Sequence, residues 1–441
     1  MNEIYYNPQE YIRQLQSLLI SDKKKIGFLF GAGTSLALKN GAFDKSKVPA
    51  IKELTKNIVD KISNIENGKE NKYKTALENI KTELSTEKYN IEYILSNIIQ
   101  KKEIIGEGKL NGLKKDEFGE LEKQIKKAIK DEVSVHNNKD EDGFFKKLVH
   151  TDFAEWVGRA DRKNPIEIFT TNYDFLFEMG LEHKNIPYYD GFVGGFEPFF
   201  DALSVENPKF SPHCTKLWKI HGSLGWAFDK SGEKVLRKSF ENIKDKDILI
   251  YPSILKYSAT KKFPYTSLTD RLSNFLKQDD TVLFVCGYSF GDAHINEVIL
   301  SALKTITTSH VFVLYYDEYT EDDDKKYSLQ KDSKLSKIAK ETKKISVYGM
   351  RNAVIGGVFG IWKLKNEPDK EDTININLYF DEDAAIDEAV NVTINRGTAE
   401  KINDVKGNEN WTGKGRFILP DFAKFVNFLT SMIINNNEDL K

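Results

Sequence analysis

Cysteine is nearly absent from this chain, which has only Cys214 and Cys286 among 441 residues. No Cys-x-x-Cys pair exists, so a tetrahedral zinc site built on cysteines is excluded, and two thiols make no disulfide framework. Cys286 ends the apolar run Val282-Leu283-Phe284-Val285, where a buried free thiol is the ordinary state. Long apolar runs are missing as well, none approaching the roughly 20 residues that span a bilayer. Met1-Asn2-Glu3-Ile4-Tyr5 is not a basic segment leading into an apolar one, so nothing suggests secretion. A cytoplasmic location without membrane association is expected. Charge of one sign is not in excess: 65 basic against 67 acidic residues leave a net charge of −2. That balance gives no electrostatic reason to expect nucleic-acid binding, and Lys23-Lys24-Lys25 reads as a solvated helix end. Internal repeats and low-complexity linkers are also lacking.

What is there fits a chain with a sizeable core. An apolar fraction of 40% and a charged fraction of 30% suit a folded protein with solvated helices. Residues 8–20 space Tyr11, Ile12, Leu15, Leu18 and Leu19 along one helical face. Ile26-Gly27-Phe28-Leu29-Phe30 is apolar throughout, as a strand buried on both faces must be. From about 50 to 160 lysine and glutamate dominate and helical stripes recur, Ile51-Leu54-Ile58-Ile62 and then Ile91-Ile94-Leu95-Ile98-Ile99. This stretch is expected to be a helical insertion. Further strand-like runs lie at 166–169, 217–220, 248–251, 282–285 and 311–315, with helical patterns between several of them. The alternation predicts an α/β fold: a Rossmann-like parallel sheet flanked by helices, with the helical insertion and a small α+β C-terminal region. In that last region Ile374, Ile376, Leu378 and Phe380, then Val390, Val392 and Ile394, alternate as antiparallel strands do. A final helix carries Phe422, Phe425, Val426, Leu429 and Ile433 on one side.

Four strings follow the strand-like runs, where a parallel sheet delivers its loops to a ligand. Gly31-Ala32-Gly33-Thr34-Ser35 would let backbone amides and a helix start approach a pyrophosphate. Leu36 stands where the common dinucleotide fingerprint has a third glycine, so an ordinary strand-to-helix turn is an equal reading. In Thr170-Thr171-Asn172-Tyr173-Asp174, Asp174 suits a helix N-cap. Asn172, donor and acceptor at once, suits holding a water and a ribose hydroxyl together. In Ile220-His221-Gly222-Ser223 a histidine at a strand end is most often structural, yet its titration range suits a general base and Gly222 leaves it reachable. In Gly287-Tyr288-Ser289-Phe290-Gly291-Asp292, Ser289 could bind a phosphate or ribose and Asp292 could cap the next helix. His136, His150, His183, His213, His294 and His310 show no metal-ligand spacing, and no metal is expected.

In this order, and with Ala293-His294-Ile295-Asn296 continuing the last, the four strings resemble the NAD-binding core of the sirtuin family over roughly residues 20 to 320. They are most similar to its bacterial sirtuin-like branch, whose members occur in anti-phage defence systems. The resemblance implies that Asn172 and His221 are the catalytic pair. It implies NAD contacts from Gly31, Ala32, Gly33, Thr34, Ser35, Thr171, Tyr173, Asp174, Gly287, Ser289 and Asp292. Sirtuin deacylases carry a four-cysteine zinc module that this chain cannot build. They also follow the glycine loop with a Gly-Ile-Pro-Asp-Phe-Arg type segment, where this chain has Leu36-Ala37-Leu38-Lys39-Asn40-Gly41-Ala42-Phe43.

The activity so implied is hydrolysis of NAD+ to nicotinamide and ADP-ribose, by an effector that depletes NAD+ when activated. The alternatives are an NAD-dependent protein deacylase or ADP-ribosyltransferase, or a non-catalytic NAD or ADP-ribose-binding scaffold. Residues 1–345 are expected to form the catalytic domain and 346–441 an assembly or partner region. Self-assembly into a homo-oligomer, and docking of a partner such as a ring-forming ATPase, are expected there if the stripe of the last helix is exposed; packing of that stripe on the chain's own core is the other reading.

Overall fold

A strand apolar on both sides is stable only between two layers, and Lys25–Phe30 takes that place inside a ten-stranded sheet in the computed structural model. Residues 3–39, 48–64, 71–85, 89–159, 162–207, 210–238, 249–250, 264–305, 308–317, 329–369, 372, 374–383 and 411–433 are described. The strands of this sheet are β1 (Tyr5–Tyr6), β2 (Lys25–Phe30), β3 (Glu167–Thr170), β4 (Tyr188–Tyr189) and β5 (Thr215–Lys219). They continue as β6 (Thr281–Cys286), β7 (His310–Leu314), β8 (Ile345–Tyr348), β9 (Asn352–Ile355) and β10 (Val358–Trp362). Their spatial order is β1-β10-β9-β8-β7-β6-β2-β3-β5-β4. From β4 to β8 every pairing is parallel. Only the meander β8-β9-β10 is antiparallel, and β1 closes the far edge parallel to β10. The architecture is the expected Rossmann-like α/β sheet.

Strand periodicity of two sorts the apolar side chains into two layers. Phe28, Phe30, Ile168, Leu217, Phe284 and Phe312 face a layer made by the helices Pro8–Ile20, Val149–Arg159, Leu176–His183 and Phe422–Thr430. Their neighbours Leu29, Phe169, Trp218, Leu283, Val285 and Val311 face the helices Tyr265–Leu276, Ala293–Thr305 and Lys334–Glu341. The insertion has its own core, in which Ile58, Ile80, Ile94, Leu95, Phe118, Leu121 and Ile125 come from helices Ile51–Ser63, Lys72–Glu83, Ile91–Ile104 and Lys115–Val133. Both stripes read from the sequence lie in these helices. The insertion ends sooner than 160, because Phe153, Ala154, Trp156 and Val157 already pack on the main sheet.

Several details refine these expectations, and for the last helix one of the two readings holds. The boundary at 345 falls within the sheet: β8, β9 and β10 extend it without a break. The stripe of the last helix is internal, with Phe425 against Phe28 and Phe284, and Phe422 against Phe30. Phe422, Phe425, Val426 and Leu429 are buried, so they offer no face for assembly or for a partner. The alternating run at 374–380 forms a short 3-10 turn, Ile376–Leu378, before the strand Phe380–Glu382 that pairs with Gly415–Phe417. Asn375 and Asn377 sit between its apolar residues, and asparagine favours turns over strands. Val390, Val392 and Ile394 lie outside the described residues. Leu249–Ile250 does form a strand, but it pairs antiparallel with Gly222–Ser223 and is no part of the main sheet.

Candidate active site

Strand register levels the ends of four adjacent strands. Cys286 stands beside Phe30, Phe30 beside Thr170, and Thr170 beside Lys219. The loops that follow, 31–35, 171–175, 220–225 and 287–292, therefore leave the carboxyl edge from one row. The chain runs from β2 outward through β3 to β5, then returns to the other flank of β2 as β6. That reversal is a topological switch point, where open α/β sheets bind ligands.

The two glycine loops are packed backbone on backbone. The Gly31 N–H donates to Cys286 O at 3.1 Å, and the Gly33 N–H to Gly287 O at 2.9 Å. A Cβ on Gly31 would lie 2.5 Å from Gly287 O, and one on Gly33 2.7 Å from Gly287 Cα. Gly287 itself has φ +67, and its Cβ would meet Thr34 N at 2.6 Å. These glycines thus admit each other's backbone. Ala32 is exposed, and it opens a single helical turn, Ala32–Ser35, whose C-cap is Leu36.

Asn172 is buried and braces this turn. Its Nδ2 donates to Ser35 Oγ at 2.7 Å, Gly31 O at 3.1 Å and Thr34 Oγ1 at 3.2 Å. Ser35 Oγ in turn donates to Asp174 Oδ2 at 2.7 Å, while Asp174 Oδ1 accepts the Leu176 N–H at 3.1 Å, as a helix cap does. Thr171 is held through its N–H to Phe30 O at 3.0 Å. Asn172, Asp174, Ser35, Thr34 and Gly31 therefore form one connected network. Tyr173 faces elsewhere: its hydroxyl donates to Glu92 Oε1 of the insertion at 2.8 Å, and burial pushes its pKa well up.

His221 is buried after β5 and meets Asp292, with Nε2 3.1 Å from Oδ2. The other oxygen of Asp292 caps helix Ala293–Thr305, accepting the N–H groups of His294 at 3.0 Å and Ile295 at 3.4 Å. Ser289 is exposed, and its Oγ accepts from the Gly291 N–H at 3.3 Å. The carboxylate partner of His221 was not foreseen from the sequence, where Asp292 reads as a cap and, by the resemblance, as an NAD contact, and the strand-end spacing says nothing of a contact between distant loops. Lys219 was also missed. Its buried Nζ holds the Asp174 carbonyl and lies 2.8 Å from Glu178 Oε1. Burial nonetheless raises the pKa of Glu178. A lysine within an otherwise buried strand was the available signal. Among the described residues, no group of three or more His, Cys, Asp or Glu side chains gathers as a metal site needs, and no helix is long and apolar enough to cross a membrane.

His150 lies behind the network, against Phe177 and Phe422 at ring-centroid distances of 4.6 and 5.3 Å. Burial pushes its pKa down to about 4 from 6.5. An unfolded chain binds that proton near the ordinary value, so between these limits the unfolded state holds more protons. The stabilisation is complete above about pH 6.5 and is lost as pH falls towards 4. We expect His150→Phe to remove about 2 kcal/mol of the stability lost between pH 7 and 5. Urea midpoints at the two pH values measure this, and an unchanged pH dependence in the variant would refute it.

Residues 166–338 match a family model described as the SIR2-like domain. No curated protein matches the chain. Among solved structures, one described as "Structural Basis for the Mechanism and Regulation of Sir2 Enzymes" is similar at 12% identity, covering 71% of this chain and 88% of that chain with a TM-score of 0.26. The stretch that delivers Asn172, His221 and Asp292 is thus similar to the SIR2-like domain.

Proposed function

We propose that this protein is an NAD-dependent enzyme that hydrolyses NAD+ to nicotinamide and ADP-ribose. What most supports this is the delivery of Asn172 and His221 from neighbouring strand ends beside a glycine loop, at the switch point of a parallel sheet. The match to the SIR2-like domain supports the same class of chemistry. A role in anti-phage defence rests on the resemblance of the four strings to the bacterial branch.

The bond to be broken joins C1′ of the ribose to the ring nitrogen of nicotinamide. Its electron pair returns to that nitrogen and neutralises the cationic ring, so the leaving group needs no general acid. Positive charge develops on the ribose in an oxocarbenium-like state, as in glycoside cleavage. A water oxygen then bonds to C1′ and gives up a proton. Asn172 spends its Nδ2 on Gly31, Thr34 and Ser35, which leaves Oδ1 as the atom with which to orient a ribose hydroxyl or that water. His221 accepts the proton.

Incubation with NAD+ and an acetylated peptide, followed by mass spectrometry, tests the reaction class. Nicotinamide and free ADP-ribose are expected, with the peptide still acetylated. O-acetyl-ADP-ribose would establish deacylation instead, and an ADP-ribosylated peptide would establish transfer. Binding of NAD+ with no turnover would make the protein a scaffold.

A further inference from the structure

We propose that Asp292 is a positioning residue for His221, holding the imidazole as the tautomer with its proton on Nε2 so that Nδ1 is the basic nitrogen. The proposal rests on the reading of His221 as proton acceptor and adds the group that sets its orientation. Asp292 and His221 come from loops three strand positions apart, since the order at this edge is β6-β2-β3-β5. For Nε2 and Oδ2 to stand 3.1 Å apart, the loop after β6 must reach back over the ends of β2 and β3. Both side chains are partly buried there, 10% and 15% exposed.

The two oxygens of Asp292 have separate duties. Oδ1 is anchored by the backbone N–H groups of His294 and Ile295 at the start of helix Ala293–Thr305. That anchor fixes where Oδ2 can point. An ionised carboxylate only accepts hydrogen bonds, so the nitrogen facing it must donate. In a neutral imidazole the lone pair then lies on Nδ1, the one atom able to take a proton from water. The same carboxylate steadies the imidazolium once it forms.

Substitution by asparagine separates these duties. Asparagine is as good a cap as aspartate. With its oxygen kept by the helix N–H groups, its amide would donate to Nε2 and drive the proton to Nδ1. NMR of the full chain with 15N-labelled histidine reads the tautomer directly, and steady-state kinetics read its consequence. We expect the Nε2–H form of His221 in the parent protein and the Nδ1–H form in Asp292→Asn. We expect kcat to fall ~100-fold in that variant with KM little changed. Asp292→Ser keeps a cap but cannot span to the ring, and should give mixed tautomers and an intermediate kcat.

An Nδ1–H form in the parent protein would overturn the proposal. So would an unchanged kcat in Asp292→Asn while His221→Ala is inactive. Turnover surviving His221→Ala would overturn the proton-acceptor reading beneath it. The pairing would still be decided by the tautomer of Asp292→Asn.

Discussion

His221→Ala is expected to lower NAD+ hydrolysis by about 10²–10⁴-fold, the usual contribution of a general base, while leaving thermal stability nearly unchanged. Asn172→Ala is expected to lose activity and stability together. The difference follows from what each side chain holds. Removing His221 leaves Asp292 anchored through Oδ1 to the following helix, and its other oxygen gains water in the space vacated. Removing the Asn172 amide takes a donor from Gly31 O, Thr34 Oγ1 and Ser35 Oγ inside a buried network. Leaving such groups short of a partner costs about 1–3 kcal/mol. Asn172→Asp should be worse, because a second carboxylate would face acceptors where an amide now donates and would stand near Asp174. NAD+ consumption and urea midpoints measured on the same preparations separate the two roles. Full turnover in His221→Ala would remove it from the mechanism. An Asn172→Ala protein as stable as the parent would show that the amide does not brace the glycine turn.

That contrast marks where the sequence was legible. Apolar runs such as Ile26–Phe30 and Val282–Val285 could be read as buried strands because a strand covered on both faces leaves no polar positions. The order of the loops followed, since parallel strands all deliver their loops to one edge. Asp174 and Asp292 were legible as caps, being short acidic side chains just ahead of helical patterns. Partnerships across the sheet were not legible. Asp292 reaches His221 from a strand three positions away, and Glu92 reaches Tyr173 from an insertion folded as its own core. Neither contact has a sequence spacing to betray it. Gly31, Gly33 and Gly287 could be read as loop glycines, though the atoms they accommodate are those of the opposing loop. The final helix shows the limit of periodicity in another way: its stripe says that one face is buried, and only the fold says against what.

Arg271→Ala is expected to destabilise the protein by about 3–5 kcal/mol, the cost of leaving a buried carboxylate without its partner. Arg271, on helix Tyr265–Leu276, grips Glu167 at the start of β3 with both ends of its fork: Nε lies 2.9 Å from Oε2, and Nη2 pairs with Oε1. Glu167 Oε2 also accepts from Trp218 Nε1 on β5 at 2.8 Å, and the guanidinium lies 5.9 Å from the Trp218 ring. Arg271 and Glu167 are both buried, so water cannot replace the lost charge. Strands β3 and β5 carry Asn172 and His221 at their far ends. The ion pair therefore pins one helix to the two strands that deliver Asn172 and His221, without touching either residue. Melting temperature and urea midpoint should fall in Arg271→Ala, while KM and kcat at low temperature stay near the parent values. In Arg271→Met with Glu167→Gln, most of the loss should return, because the charge is gone and the amide oxygen still accepts from Trp218. A single variant within about 1 kcal/mol of the parent, the range of exposed pairs, would mean that water reaches Glu167 and that the strands are held by packing alone.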